Sequence, residues 1–407
     1  MTLQSKRNKV FPQKATRQQT KEHNRDLVLT TIFDHETISR AEIARLTRLT
    51  RTTVSNIVSS LLNEGLVEEV GLGESLGGKV PVLLSLVANS RYLIGVDLAH
   101  SKFIGAIINL RGEIKEEITI PTQKKDGEEA ILLIYQILDQ LLATNLTPII
   151  GIGVGAPGLI NSKEGIVVNA VNLNWENLPL ANLLNIRYKL PISILNDSQA
   201  AAIGEFFYGE GHAPNENLIV VNIKEGMSAG ILIDGKLFQG DGGGAGEIGH
   251  VVVQKDGVLC RCGKRGCLET IVSTKAIVQR AKLLTPEAKN SILPKESEKI
   301  TLEIIKDAFL AKDSLAEEII FEAGHYLGAS IANLISILNI QKVILTGETI
   351  LFGEAWLESV QNATRESAFN QIVQNTHIEL GQIDLRSSIL GASASMLIND
   401  YSLLFNK

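Results

Sequence analysis

A two-lobed α/β protein behind a small N-terminal unit of helices and a hairpin is the architecture this 407-residue sequence predicts. Three observations predict it. Strand-forming and helix-forming stretches alternate from Tyr92 to Ala394, which suits sheets covered by helices with a cleft between two lobes. Ahead of them, residues 24–86 show three short helical periodicities and then a glycine-rich hairpin. Finally, all three cysteines fall between Cys260 and Cys267, in the run C-R-C-G-K-R-G-C-L-E.

Composition narrows the class. At 44% hydrophobic and 21% charged the chain reads as globular, and its length allows two or three domains with substantial cores. No apolar run approaches the roughly eighteen residues of a membrane span. The start M-T-L-Q-S-K-R-N-K-V lacks the apolar core of a signal peptide, so the expectation is a cytoplasmic protein with no membrane contact. The net charge of −6 is uneven: residues 1–81 hold 12 Lys/Arg and 9 Asp/Glu, whereas residues 82–407 hold 27 and 36. Only the front suits a polyanion, and residues 1–23 read as a basic arm.

The front elements follow from spacing. Val28/Ile32 and Leu29/Phe33 predict a helix from Asn24 to Asp34. Ser39-Arg40-Ala41-Glu42 is a capping box that opens a brief second helix, expected to bury Ile43 and Leu46 before the turn Thr47-Arg48-Leu49. The third helix, from about Thr50, buries Val54, Ile57, Val58, Leu61 and Leu62, and Gly65 stops it. Its other face is Arg51, Thr52, Thr53, Ser55, Asn56, Ser59 and Ser60. Short hydroxyl and amide groups beside an arginine are what a recognition helix offers to base edges and phosphates, so the three helices read as a helix-turn-helix. Strands at residues 66–70 and 80–86 add a hairpin wing whose Gly77-Gly78-Lys79 tip would bring Lys79 close to DNA. The expected DNA contacts are Arg48, Arg51, Thr52, Thr53, Ser55, Asn56 and Lys79.

Beyond residue 88 the reading is strands at 92–97, 102–109 and 113–118, a helix over 127–143, and a strand at 149–154 entering Gly155-Ala156-Pro157-Gly158. A loop holding Asn172 follows, then a strand at 192–195 and a helix starting at Asn196-Asp197. Strands at 217–223 and 229–233 precede the cysteine run; helices at 274–284, 301–311 and 314–335, a strand at 341–348 and a closing helix from Leu390 follow it.

Three thiols suit one tetrahedral metal ion that needs a fourth ligand, and His250, ten residues before Cys260, is the nearest candidate. The reading is zinc held by His250, Cys260, Cys262 and Cys267. A reduced loop with incidental thiols is the alternative, and three thiols cannot make two disulfides.

The motif Glu247-Ile248-Gly249-His250 followed by C-x-C-G-x-x-G-C-L-E resembles the ROK family of repressors and sugar kinases. The helix-turn-helix in front resembles its repressor branch, of the xylose-operon-repressor type. The resemblance implies an actin-like, ribonuclease-H-like ATPase fold in two lobes. It divides the chain into an arm (1–23), a winged helix-turn-helix (24–88), a first lobe (89–205 with 388–402) and a second lobe carrying the zinc loop (206–387). It also implies sugar contacts at Asn172, Asn196, Asp197, Glu247, His250 and Glu269, types that satisfy sugar hydroxyls. In the kinases of that family the residue matching Asp197 is the general base. The kinase phosphate motifs, however, are altered. Asp97-Leu98-Ala99-His100-Ser101 stands where kinases have Asp-x-Gly-Gly-Thr, and Lys224-Glu225-Gly226-Met227 where they have Gly-Thr-Gly, so no catalytic turnover is expected. The expected function is a dimeric repressor of carbohydrate-utilisation genes, released from operator DNA by a monosaccharide such as xylose or glucose. A sugar kinase with a fused DNA-binding head, or a repressor governed by a protein partner, are the alternatives.

Overall fold

The computed structural model describes residues 16–74, 80–99, 101–209, 216–399 and 403–404. Its contacts divide the chain at Ser90/Arg91 into two units.

In the front unit each helix starts at a side-chain cap. Thr16 and Gln19 form a capping box that begins α1 (Arg17–Phe33). The helix therefore reaches back to Arg17, into the span expected to be arm, because a polar but well-capped stretch needs no apolar face to continue a helix already packed further on. Ser39 and Glu42 cap α2 (Arg40–Thr47), and Thr50 caps α3 (Arg51–Asn63). Val28, Leu29, Ile32, Ile43, Val54, Val58 and Leu61 are buried, but Leu46 is 51% exposed. It lies about 60° round the helix from Ile43, outside the buried stripe of so short an element. A three-stranded antiparallel sheet of β1 (Ile38–Ser39), β3 (Val82–Leu86) and β2 (Val67–Leu72) completes the unit. Lys79 at the wing tip and residues 1–15 of the arm lie outside the described residues.

The second unit holds two five-stranded sheets of like design. The first, ordered β11-β7-β4-β5-β6, joins the antiparallel meander β4 (Tyr92–Leu98), β5 (Lys102–Asn109) and β6 (Ile114–Pro121) to the parallel strands β7 (Ile149–Ala156) and β11 (Ile192–Asn196). The second, ordered β14-β13-β12-β15-β16, joins the antiparallel β12 (Leu218–Ile223), β13 (Met227–Ile233) and β14 (Lys236–Leu237) to the parallel β15 (Lys342–Gly347) and β16 (His377–Leu380). Their central strands are buried on both faces and read as continuous apolar runs. Between residues 159 and 178 a small sheet of β8 (Leu159–Asn161), β9 (Ile166–Ala170) and β10 (Trp175–Leu178) replaces the expected open loop.

Helices cover these sheets. α4 (Gly127–Leu142) lies on β5 and β6, and α5 (Leu180–Tyr188) on β11. α6 (Asp197–Tyr208) packs on β12 and β13, and its neighbour α13 (Ser387–Asn399) on β7, β4 and β11, so this helix pair joins the two lobes. The second lobe's core, around Phe309, Phe352 and Trp356, is enclosed by the short α7 (Glu269–Val272), α8 (Thr274–Leu284), α9 (Leu302–Leu310), α10 (Ser314–Leu338), α11 (Glu354–Ser367) and α12 (Asn370–Val373). Among the described residues no helix is long and apolar enough to cross a membrane.

Candidate functional site

The ends of β4, β7, β11 and β12 meet along a cleft that opens to solvent. Asn172, Asn196, Asp197, Glu247 and His250 all line it, although they are up to 78 positions apart in sequence. Asn196 is also the N-cap of α6: its Oδ1 accepts from the Ser198 and Gln199 amides at 2.9 and 3.3 Å, and its Nδ2 donates to the Gly158 carbonyl at 3.0 Å. Gly246 aims Glu247 inward from a backbone φ of +94°, where a Cβ would stand 1.8 Å from the Ala229 carbonyl oxygen. Glu269 is not among the lining residues. It is buried, with Oε2 accepting from Arg261 at 2.9 Å and from the Met227 amide at 3.3 Å, and Arg261 is the residue that faces the cleft.

Sequence reasoning assigned no site role to Asp97, Glu225, Ser228, Arg261 or Glu348, all of which line the cleft. Lys224, in the stretch that stands where the kinases have Gly-Thr-Gly, has its Nζ occupied. It donates to Asp97 Oδ2 at 2.6 Å and to Ser388 Oγ at 3.1 Å, linking the second lobe's sheet to β4 and α13. This pair is nearly out of water, with side chains 16% and 3% exposed. Asp97 Oδ1 is buried and has no hydrogen-bond partner among the described residues. No local pattern could have joined residues 127 positions apart.

Burial and mutual repulsion shape the acids. Asp197 is pushed up to about 6 by burial, with Lys224 pulling the other way and Asp97 adding repulsion. Glu247 is pushed up to about 7 by burial first, then by the charges of Asp197 and Glu269. Near neutral pH the cleft therefore offers one carboxylate that only accepts hydrogen bonds and one carboxyl able to donate as well.

Behind Glu247 stands the cysteine loop. His250 Nδ1 is 3.6 Å from Cys260 Sγ, and Cys262 Sγ is 3.6 Å from Cys267 Sγ. All four ligand atoms lie within 4.8 Å of one another. The sulfurs are free thiols, far from bonding distance. Backbone bonds close the loop, among them Gly263 N–H to Cys260 O at 2.9 Å, Cys260 N–H to Lys264 O at 2.8 Å and Gly266 N–H to Val258 O at 2.9 Å. Gly266, at φ +72°, passes so close to Gln254 that a Cβ would meet its carbonyl oxygen at 1.6 Å. Ligands about 2.3 Å from a central tetrahedral ion are separated by about 3.8 Å, so this donor set fits one zinc ion. Burial pushes the Cys267 thiol up to about 12, and its thiol neighbours add to that crowding, which a bound cation would relieve.

In the front unit Arg48, Arg51, Thr52, Ser55 and Asn56 are exposed, whereas Thr53 is half-buried and shares a 2.8 Å hydrogen bond with the cap Thr50. Ser60 is turned to Glu64, its Oγ donating to Oε1 at 2.8 Å. The free polar face of α3 is thus narrower than its spacing suggests.

The family model described as "ROK family" matches residues 93–398. A xylose repressor of Caldicellulosiruptor bescii is 35% identical over 386 residues, which span 93% of this chain and 96% of that one. A glucokinase of Halalkalibacterium halodurans is 32% identical over 311 residues, 74% of this chain and 94% of the other. Among solved structures, a ROK family transcriptional regulator described as a homolog of the E. coli MLC protein superposes with a TM-score of 0.81 at 27% identity, covering 95% of this chain and 98% of its own.

Proposed function

The chain belongs to the ROK family, and from that premise we propose that it is a sugar-responsive transcriptional repressor of carbohydrate-utilisation genes. The observation that carries this reading is the front unit, whose α3 exposes Arg51, Thr52, Ser55 and Asn56 in the same chain as a cleft lined by Asn172, Asn196, Asp197, Glu247 and His250. In a dimer, two copies of α3 would enter successive major grooves of a palindromic operator, with Arg48 on the backbone and Lys79 of the wing alongside.

In the cleft, Asp197 accepts from sugar hydroxyls, Glu247 accepts or donates, and Asn172, the second amide hydrogen of Asn196 and the outer nitrogen of His250 complete the ring of partners. Glu269 acts through Arg261, or exchanges Arg261 for a hydroxyl. Zinc held by His250, Cys260, Cys262 and Cys267 would supply a structural cross-link that fixes the His250 ring at the cleft edge. A xylose- or glucose-like monosaccharide suits these partners, and binding it more tightly in the DNA-free arrangement would release the operator.

No turnover is part of this reading, because Lys224 is committed to Asp97 and Glu225 and Glu348 place negative charge in the cleft. Asp197 nevertheless has the raised pKa of a general base, which favours a kinase as the second reading. One experiment separates them. Duplexes selected from a random library by the purified protein are titrated at fixed salt with xylose, glucose and N-acetylglucosamine, and the same sugars are incubated with ATP. Release of DNA by one sugar without phosphorylation is expected. Turnover of ATP and sugar, or selection of no duplex, would remove the repressor reading.

A further inference from the structure

The cysteine loop and the cleft meet at one side chain. Arg261 stands between the donors Cys260 and Cys262, yet its guanidinium lines the cleft. Its Nη2 donates to Glu269 Oε2 at 2.9 Å, and the same oxygen accepts from the Met227 amide at 3.3 Å. The pair lies directly on the turn ahead of Met227, for a Cβ on Gly226 would stand 2.8 Å from Arg261 Nη2 and 3.1 Å from Glu269 Oε2. That turn is closed by Lys224 N–H to Gly226 O at 2.8 Å, and Lys224 O accepts from the Thr274 amide at 2.9 Å. From it the Lys224 side chain crosses to Asp97 Oδ2 at 2.6 Å and Ser388 Oγ at 3.1 Å, on β4 and α13. Contacts thus run without a break from the loop's donors to the place where the second lobe holds the first.

We propose that Arg261 is a positioning residue through which metal binding at the cysteine loop sets the turn 224–227, and with it the link from Lys224 to Asp97 between the lobes. The inference rests on the zinc reading of the loop and extends the reach of that site to the floor of the cleft. The two members of the ion pair are anchored differently. Glu269 opens α7 beside the buried Leu268 and Val272, so packing holds it in place. Arg261 rides on a loop whose Val258 and Leu259 are exposed. Once no cation gathers the donors around it, the arginine is therefore the end that leaves. A buried carboxylate deprived of its counter-charge is costly, so the turn bonded to Glu269 must then adjust.

Hydrogen exchange on the full-length protein, loaded with zinc or stripped by a chelator, tests this at two peptides, one holding the turn 224–227 and one the end of β4. Stripping should speed amide exchange in both by roughly tenfold or more, the change that loss of one hydrogen bond to a charged group implies. β15, in the core of the same lobe, should stay as it was. Arg261→Ala should keep its zinc by elemental analysis and, still loaded, already exchange at the stripped rate, with chelation adding little. Arg261→Ala combined with Glu269→Gln, which leaves no unpaired buried charge, should be equally unresponsive to the metal, whereas Arg261→Lys should restore much of the response. Wild-type exchange that ignores chelation would overturn the inference, as would a full response in Arg261→Ala or loss of zinc from that variant. An equal rise in β15 would overturn it too, since the whole lobe would then be loosening. A wild-type chain that takes up no zinc fails the metal reading itself, which elemental analysis shows before any exchange is measured.

Discussion

Asp197 stands in the first turn of α6 with its carboxyl at about 6, above the ordinary 3.8, because it is withdrawn from water; Lys224 offsets part of this and Asp97 adds to it. The folded protein therefore holds that proton more tightly than the unfolded chain. The stability it contributes is complete below about 3.8 and gone above about 6, so at neutral pH the ionised group is a standing cost. In the proposed sugar site that cost would be offset by the use of the carboxylate as an acceptor. Asp197→Asn is accordingly expected to weaken binding of the neutral sugar by tenfold or more and yet to stabilise the ligand-free protein. Relative to wild type, that stabilisation should grow by on the order of 1 kcal/mol between about pH 5 and about pH 7.5. Urea unfolding at the two pH values measures it, and a variant that loses stability relative to wild type over this interval would contradict the burial argument.

At the scale of elements, the cysteine loop is held by few apolar contacts, for Val251, Val252, Val258 and Leu259 are all exposed. Its shape rests on backbone bonds across the loop, the Gly266 crossing and four clustered donors. Cys262 is exposed, so Cys262→Ser leaves no core cavity and its effect reports on metal alone. The expected result is loss of about one zinc per chain by elemental analysis, with at least roughly 2 kcal/mol of lost stability if the site is well saturated. Wild-type protein treated with a chelator should match it, and an unchanged metal content would refute the zinc assignment. This loop was legible in the sequence because its chemistry is local, as were α2 and α3, where caps and apolar spacing agree. α11 went unassigned although Trp356, Leu357, Val360 and Ala363 keep helical spacing; its last core position is Thr364, a buried hydroxyl that donates to Val360 O and Gly328 O and so hides that position behind a polar residue. β8 to β10 were missed because strands of three to five residues carry too little alternation. The ring of cleft residues came through its motifs, but Lys224–Asp97 and Arg261–Glu269 are tertiary pairings in which the chain folds back on itself.

For the whole molecule the question is how a sugar in the unit from Arg91 onward alters DNA held by the unit before it. Thermodynamics constrains the answer without any assumed path between them. If sugar lowers operator affinity by some factor, operator must lower sugar affinity by that same factor, because both describe one coupling free energy. A range of about 5- to 150-fold is typical of such couplings. The prediction is that the ratio of operator Kd values with and without saturating sugar equals, within error, the ratio of sugar Kd values with and without saturating operator. Both arms must share one salt concentration, since each phosphate contact makes DNA affinity depend steeply on salt. Asn56→Ala provides the control: Asn56 is exposed on α3 and far in sequence from every cleft residue. It should weaken operator binding while leaving the sugar Kd of the free protein as it was. Unequal ratios in the wild type would mean that sugar and DNA act on different populations, such as two oligomeric states, and would break the single-switch account. Loss of sugar binding in Asn56→Ala would show that the two units do not divide the work at Ser90.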